Sequence, residues 1–162
     1  MTSFQPKHVT HTYAQRILAP AAEVFPLLCP VREAEWLDGW DCELMYSVSG
    51  VAEEGCVFTS AEPDETRTIW LITQHDAENH HVQFAGVTPV SRVAKVDITL
   101  RDNGDDTTRA SIVYSVTGLN EQGNRFVDAY TADSFSQGMR WWERSMNHYL
   151  TTGEKLKIED AG

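Results

Sequence analysis

The sequence lacks any apolar run near the ~20 residues that a bilayer-spanning helix needs. Its most apolar early stretch, from Ile17 to Val31, is interrupted by Pro20, Glu23, Pro26 and Pro30. The opening segment MTSFQPKHVTHTY has no apolar core of the kind a secretory signal carries. The expectation is a cytoplasmic protein with no membrane insertion. Cysteine is scarce as well: Cys29, Cys42 and Cys56 are an odd number without CxxC spacing. That argues against a disulfide framework or a zinc site and leaves three reduced, small hydrophobes. Cys29, between Leu28 and Pro30, has no nucleophile motif around it. Positive charge is also short, with Lys+Arg 13 against Asp+Glu 24 and a net charge of -11. Such a surface repels phosphate backbones and anionic lipid heads, so nucleic acid is not an expected partner. Neither GxSxG, HExxH, a phosphate-binding GxxxxGK nor a glycine fingerprint after a strand occurs. Their absence removes the commonest hydrolases, zinc proteases and nucleotide-binding enzymes, and no cofactor is expected.

What the chain does contain is strands followed by a helix. A length of 162 residues and a hydrophobic content of 41% fit one domain, 1–162, with a core over 8–152 and a frayed tail over 153–162. Strands are predicted at His8–Ala19, Trp40–Val48, Cys56–Ala61, Thr66–Gln74, His80–Val87, Val90–Arg101 and Thr107–Thr117. Pro63-Asp64-Glu65 and Thr88-Pro89 serve as breakers. Asn103-Gly104 is a hairpin signal, because that pair readily takes positive φ. Two short helical segments, Ala21–Leu28 and Val31–Leu37, follow the first strand. About seven strands with short connections imply antiparallel order. One uninterrupted helical pattern then runs from about Asn120 to Thr151. Phe135, Met139, Trp142, Met146 and Tyr149 keep the i, i+3, i+4 spacing of a core-facing stripe. A helix this aromatic needs a large surface, and a curved antiparallel sheet gripping it supplies one, often with a cavity between them.

This layout resembles the START-like superfamily, also known as the SRPBCC, birch-pollen-allergen-like or polyketide cyclase-like group. Ala19-Pro20-Ala21-Ala22-Glu23-Val24-Phe25 looks like the family's strand-to-helix junction, and Trp36-Leu37-Asp38-Gly39-Trp40 precedes the second strand as it does there. The resemblance implies an α+β helix-grip fold. It leaves the chemistry open, because the superfamily holds carriers, receptors, cyclases and co-chaperone-like domains.

Candidate site residues follow from the faces. Arg92 opens the strand face of Ala94, Val96, Ile98 and Leu100, where a guanidinium at the cavity mouth could meet an anionic ligand group. Glu43 shares a face with Asp41 and Met45, and Gln83 shares one with His81, Ala85 and Val87. Arg92, Tyr114 and Glu43 are the candidates for acid–base work. Trp36, Trp40, Tyr46, Trp70, Ala94 and Tyr114 are candidate walls of a ligand pocket. The resembling fold places the helix's first half over the cavity mouth, which adds Phe126, Tyr130 and Ser134. His75, His80 and His81 read as a solvated hairpin tip rather than a metal site, since the adjacent His80 and His81 point to opposite faces. Three readings stay open, in this order. The first is a binder of a small apolar or aromatic molecule. The second is a cyclase/dehydratase-like enzyme. The third is an interaction module whose cavity is filled by its own side chains.

Overall fold

The computed structural model describes residues 3–63 and 66–161. Asp64 and Glu65 of the expected breaker, and Gly162 of the expected tail, lie outside the described residues. Seven strands form one antiparallel sheet: β1 (His8–Ile17), β2 (Cys42–Tyr46), β3 (Val57–Ala61), β4 (Arg67–Asp76), β5 (His81–Thr88), β6 (Arg92–Asp102) and β7 (Thr108–Gly118). Their order is β1-β7-β6-β5-β4-β3-β2, so the first two strands occupy opposite edges. Period-two alternation sets which side chains enter the core. Val96, Ile98 and Leu100 of β6 are buried, and Ile98 and Leu100 lie opposite the buried Ile112 and Ala110 of β7.

The segment between β1 and β2 closes one end of the sheet. Helix α1 (Ala21–Val24) runs into a 3-10 turn, Phe25–Leu28, where Pro26 fits because an N-terminal position needs no N–H. A second 3-10 turn spans Arg32–Glu35 and delivers Trp36, which is fully buried and donates its indole N–H to the Leu27 carbonyl at 2.9 Å.

The expected single C-terminal helix is two helices, α2 (Glu121–Ala129) and α3 (Ala132–Thr152). Asn120 caps α2 by accepting from the Gly123 N–H, and Thr131 caps α3 by accepting from the Ser134 N–H. A side chain that satisfies a first-turn N–H starts a helix where the apolar pattern alone would continue one. Thr131→Ala is therefore expected to cost about 1 kcal/mol of stability, read from urea denaturation. An unchanged midpoint would mean that the break is held without the cap.

Helix α3 packs along β1 and caps the C-terminal end of its free edge. Glu143 accepts from the Arg16 N–H, Asn147 accepts from the Leu18 N–H at 2.8 Å, and the Asn147 amide donates to the Arg16 carbonyl at 2.9 Å. Backbone groups capped in this way offer no template for pairing with another chain at that end. Gly153, in the left-handed region at φ 77, ends α3. The tail expected to fray is instead docked: Leu156 bridges Leu37, and the Ile158 N–H donates to Asp38 at 3.0 Å. At the histidine hairpin Ala77, Glu78 and Asn79 are exposed, and the half-buried His75 and His80 rings lie 5.1 and 5.6 Å from that of Phe25. Among the described residues, no helix is long and apolar enough to cross a membrane.

Candidate ligand cavity

A cavity of about 300 Å³ lies between the sheet and α3. Its floor is Phe58, Trp70, Phe84, Val96, Ile98, Ile112 and Tyr114, drawn from β3 to β7. Met139 and Trp142 of α3 roof it, and Leu28, Glu33, Leu37 and Trp40 close the end formed by the β1–β2 segment. Ala61, which is exposed, and Glu62 mark where the wall reaches solvent. The surrounding side chains leave this space open. Trp70 lies flat over Gly86, where a Cβ would meet its ring at 2.5 Å, so the missing side chain is what lets the indole sit there. The Trp70 N–H donates to the Ser60 hydroxyl and the Trp40 N–H to the Pro30 carbonyl, each at 2.9 Å.

Glu33 is the chemically distinctive wall residue. The 3-10 turn carries it inward, where it is buried and accepts from the Trp142 indole N–H at 3.1 Å. Burial disfavours the carboxylate and pushes its pKa up to about 8, against a smaller opposing pull from the Trp142 hydrogen bond. At neutral pH it is therefore mainly a neutral acid. Burial likewise raises the Tyr114 hydroxyl, with the neighbouring Tyr130 adding to the shift, and lifts Tyr130 itself to about 12. The Cys42 thiol is raised to about 11, mostly by burial.

A second polar group forms a seam beside the opening. Arg92, only 6% exposed, lies 3.4 Å from Glu62 and 3.7 Å above the Phe126 ring, and donates to the Ser91 hydroxyl. Thr68 donates to Glu62 at 2.6 Å, which obliges Thr88 to be the donor in its 2.7 Å contact with Thr68. The seam ties β3, β4, β5, β6 and α2 together with its charges paired, as a buried ion pair requires.

The residues singled out from sequence separate accordingly. Trp40, Trp70 and Tyr114 line the cavity. Trp36 stands behind the wall, edge-on to Trp142 at 5.1 Å. Arg92 and Phe126 face each other in the seam, and Tyr130 stacks on Phe126 at 5.5 Å, so all three sit beside the space rather than in its wall. Ala94 is half-buried and outside the lining. Ser134 is exposed and bonds back to the Thr131 carbonyl. Glu43 is exposed on β2, and Tyr46, 60% exposed, is turned out where the β2–β3 register shifts between Leu44 and Tyr46. Gln83 and His81 meet Asp97 on the outer face at 2.9 and 2.8 Å. Sequence reasoning missed Glu33, Glu62 and Ser60. The one signal for Glu33 was its position four residues before Leu37 and three before Trp36, within a short helical turn.

A curved sheet gripping a C-terminal helix around an aromatic-walled cavity defines a helix-grip protein. No family model matches the sequence, and no curated protein matches it. Solved structures match it in fold. Norcoclaurine synthase from Thalictrum flavum gives a TM-score of 0.68 at 10% identity, covering 94% of this chain and 99% of that chain. An uncharacterized protein from Rhizobium leguminosarum gives 0.65 at 15% identity, covering 91% of this chain and 97% of that one. A protein of the dynemicin biosynthetic locus gives 0.59 at 17% identity, covering 90% of this chain and 48% of that one. At such identities the likeness is one of fold alone.

Proposed function

We propose that this protein binds one small, mainly apolar or aromatic molecule in the cavity, as a carrier or sensor. The observation that carries this reading is an open space of about 300 Å³ walled by Trp40, Trp70, Tyr114 and Trp142 with only a few polar groups. That volume is at the lower end of the ~300–1,000 Å³ typical of small-molecule sites. A one- or two-ring molecule burying ~250 Å² of apolar surface would gain about 6 kcal/mol, before association costs. Glu33, Ser60 and Tyr114 of the lining would supply the polar groups that fix its orientation. A norcoclaurine synthase structure with dopamine and hydroxybenzaldehyde puts small aromatic molecules on the same fold.

Calorimetric titration with indole tests the reading. Wild-type protein is expected to take up indole, and Val96→Trp, which fills the space, is expected to weaken uptake at least about tenfold. Failure of the wild type to bind, or equal binding by the variant, would overturn the proposal. One observation favours a second reading, a proton-transferring enzyme: Glu33 lines the cavity as an acid that titrates near neutral pH. Turnover lost in Glu33→Gln with indole binding retained would support it.

A further inference from the structure

We propose that the cavity selects an organic ammonium ion over a neutral or anionic molecule of the same shape. Its nitrogen would sit on the Glu33 carboxyl and its carbon skeleton between the tryptophan walls. This rests on the reading that the cavity takes up a small apolar molecule.

The first support is the charge inventory of the wall. Among the described residues its ionisable groups include two carboxyls, Glu33 and Glu62, and no lysine or arginine. The adjacent guanidinium, Arg92, is engaged by Glu62 at 3.4 Å and by the face of Phe126 at 3.7 Å. An anion entering here would leave water with no free cation to receive it, because Arg92 is already paired with Glu62, so the anionic ligand expected opposite Arg92 is disfavoured. The Ser60 and Tyr114 hydroxyls are neutral donors, too weak to offset that desolvation.

The second support is the way the donors are used. The Trp40, Trp70 and Trp142 indole N–H groups donate to Pro30, Ser60 and Glu33 respectively. With their donors spent inside the protein, the indoles present aromatic surface, which carries negative potential and attracts cations. Glu33 Oε1 accepts from Trp142, whereas Oε2 has no hydrogen-bond partner among the described residues. A ligand N–H would supply it. Carboxyl and aromatic faces around one enclosed space are the chemistry that recognises an ammonium ion.

A consequence is coupled proton release. The groups around Glu33 are Trp142 on α3, Cys42 on β2, Tyr114 on β7, and Glu62 beyond β3 with Arg92 on β6. Cys42 is pushed up to about 11 and Tyr114 is raised by burial, so both stay neutral near pH 7. The proton displaced when a cation arrives is therefore that of Glu33, whose pKa lies at about 8.

Three probes with one ring and different heads test this: benzylamine, ethylbenzene and phenylacetate. Each is titrated calorimetrically at pH 7 in two buffers of different ionisation enthalpy, alongside indole. Benzylamine is expected to bind at least about tenfold tighter than ethylbenzene, with close to one proton released, and phenylacetate to be rejected. Glu33→Gln keeps an acceptor for Trp142 and should erase both the preference and the proton release. Ethylbenzene binding as well as benzylamine, or benzylamine binding without proton release, would overturn the ammonium inference and leave the apolar-cavity reading standing. No uptake of any probe, indole included, would overturn both.

Discussion

Glu33→Gln is expected to make the protein markedly more stable at alkaline pH while leaving its stability in acid nearly unchanged. In the unfolded chain this carboxyl titrates near its ordinary 4.5, whereas in the fold it titrates at about 8. Below the lower value both states hold the proton, and no penalty arises. Between the two, unfolding releases a proton, so rising pH favours the unfolded state by up to about 1.4 kcal/mol per pH unit. Above the upper value the penalty is complete, at about 5 kcal/mol or less. Glutamine keeps the buried shape and the acceptor for Trp142 but has no proton to lose. Urea midpoints from pH 5 to pH 9 should therefore converge in acid and separate steadily towards base. Parallel curves for the two proteins would show that Glu33 does not titrate in this window.

Gly123→Ala should be the most disruptive substitution of a small residue. A Cβ at this position of α2 would run into the Ser91 carbonyl of the β5–β6 turn and crowd the Gly118 Cα of β7. Both obstacles are backbone, and the turn is already fixed by the Leu119 N–H donating to Ser91 at 2.8 Å. Alanine would otherwise favour a helix by about 1 kcal/mol. Overpacking against rigid backbone opposes that gain, and a net loss of about 3 kcal/mol is expected. Because α2 carries Phe126 to Arg92, the same change should loosen the seam beside the cavity. Stability within about 0.5 kcal/mol of wild type would show that the turn yields easily.

The strands were legible because alternation is a short-range signal. Expected and observed strand ends agree within two residues at every end of β1 to β7, and the Asn103-Gly104 turn puts Gly104 at φ 84. The break between α2 and α3 was hidden inside a continuing apolar pattern; Thr131, as a cap, was its only mark. Trp40, Trp70 and Tyr114 were readable as wall residues from strand and loop faces. Tyr46 was not, because a register shift turned it outward, and a one-residue slip reverses a strand's faces. Glu33 was the least readable. Arg32-Glu33-Ala34-Glu35 reads as a solvated turn, and only packing against Trp142 of α3, far along the chain, makes one of its charges a buried acid.

The sheet order carries a consequence for how the chain assembles. Strand β1, first in the chain, pairs only with β7, with His8 opposite Thr117. During synthesis it must wait for nearly the whole sheet to emerge before it finds a neighbour, while β2 through β7 can zip together hairpin by hairpin. Closing that long loop comes late and is entropically costly, so the chain should fold slowly for its size. Until then the first strand and the apolar segment behind it are what a chaperone would meet.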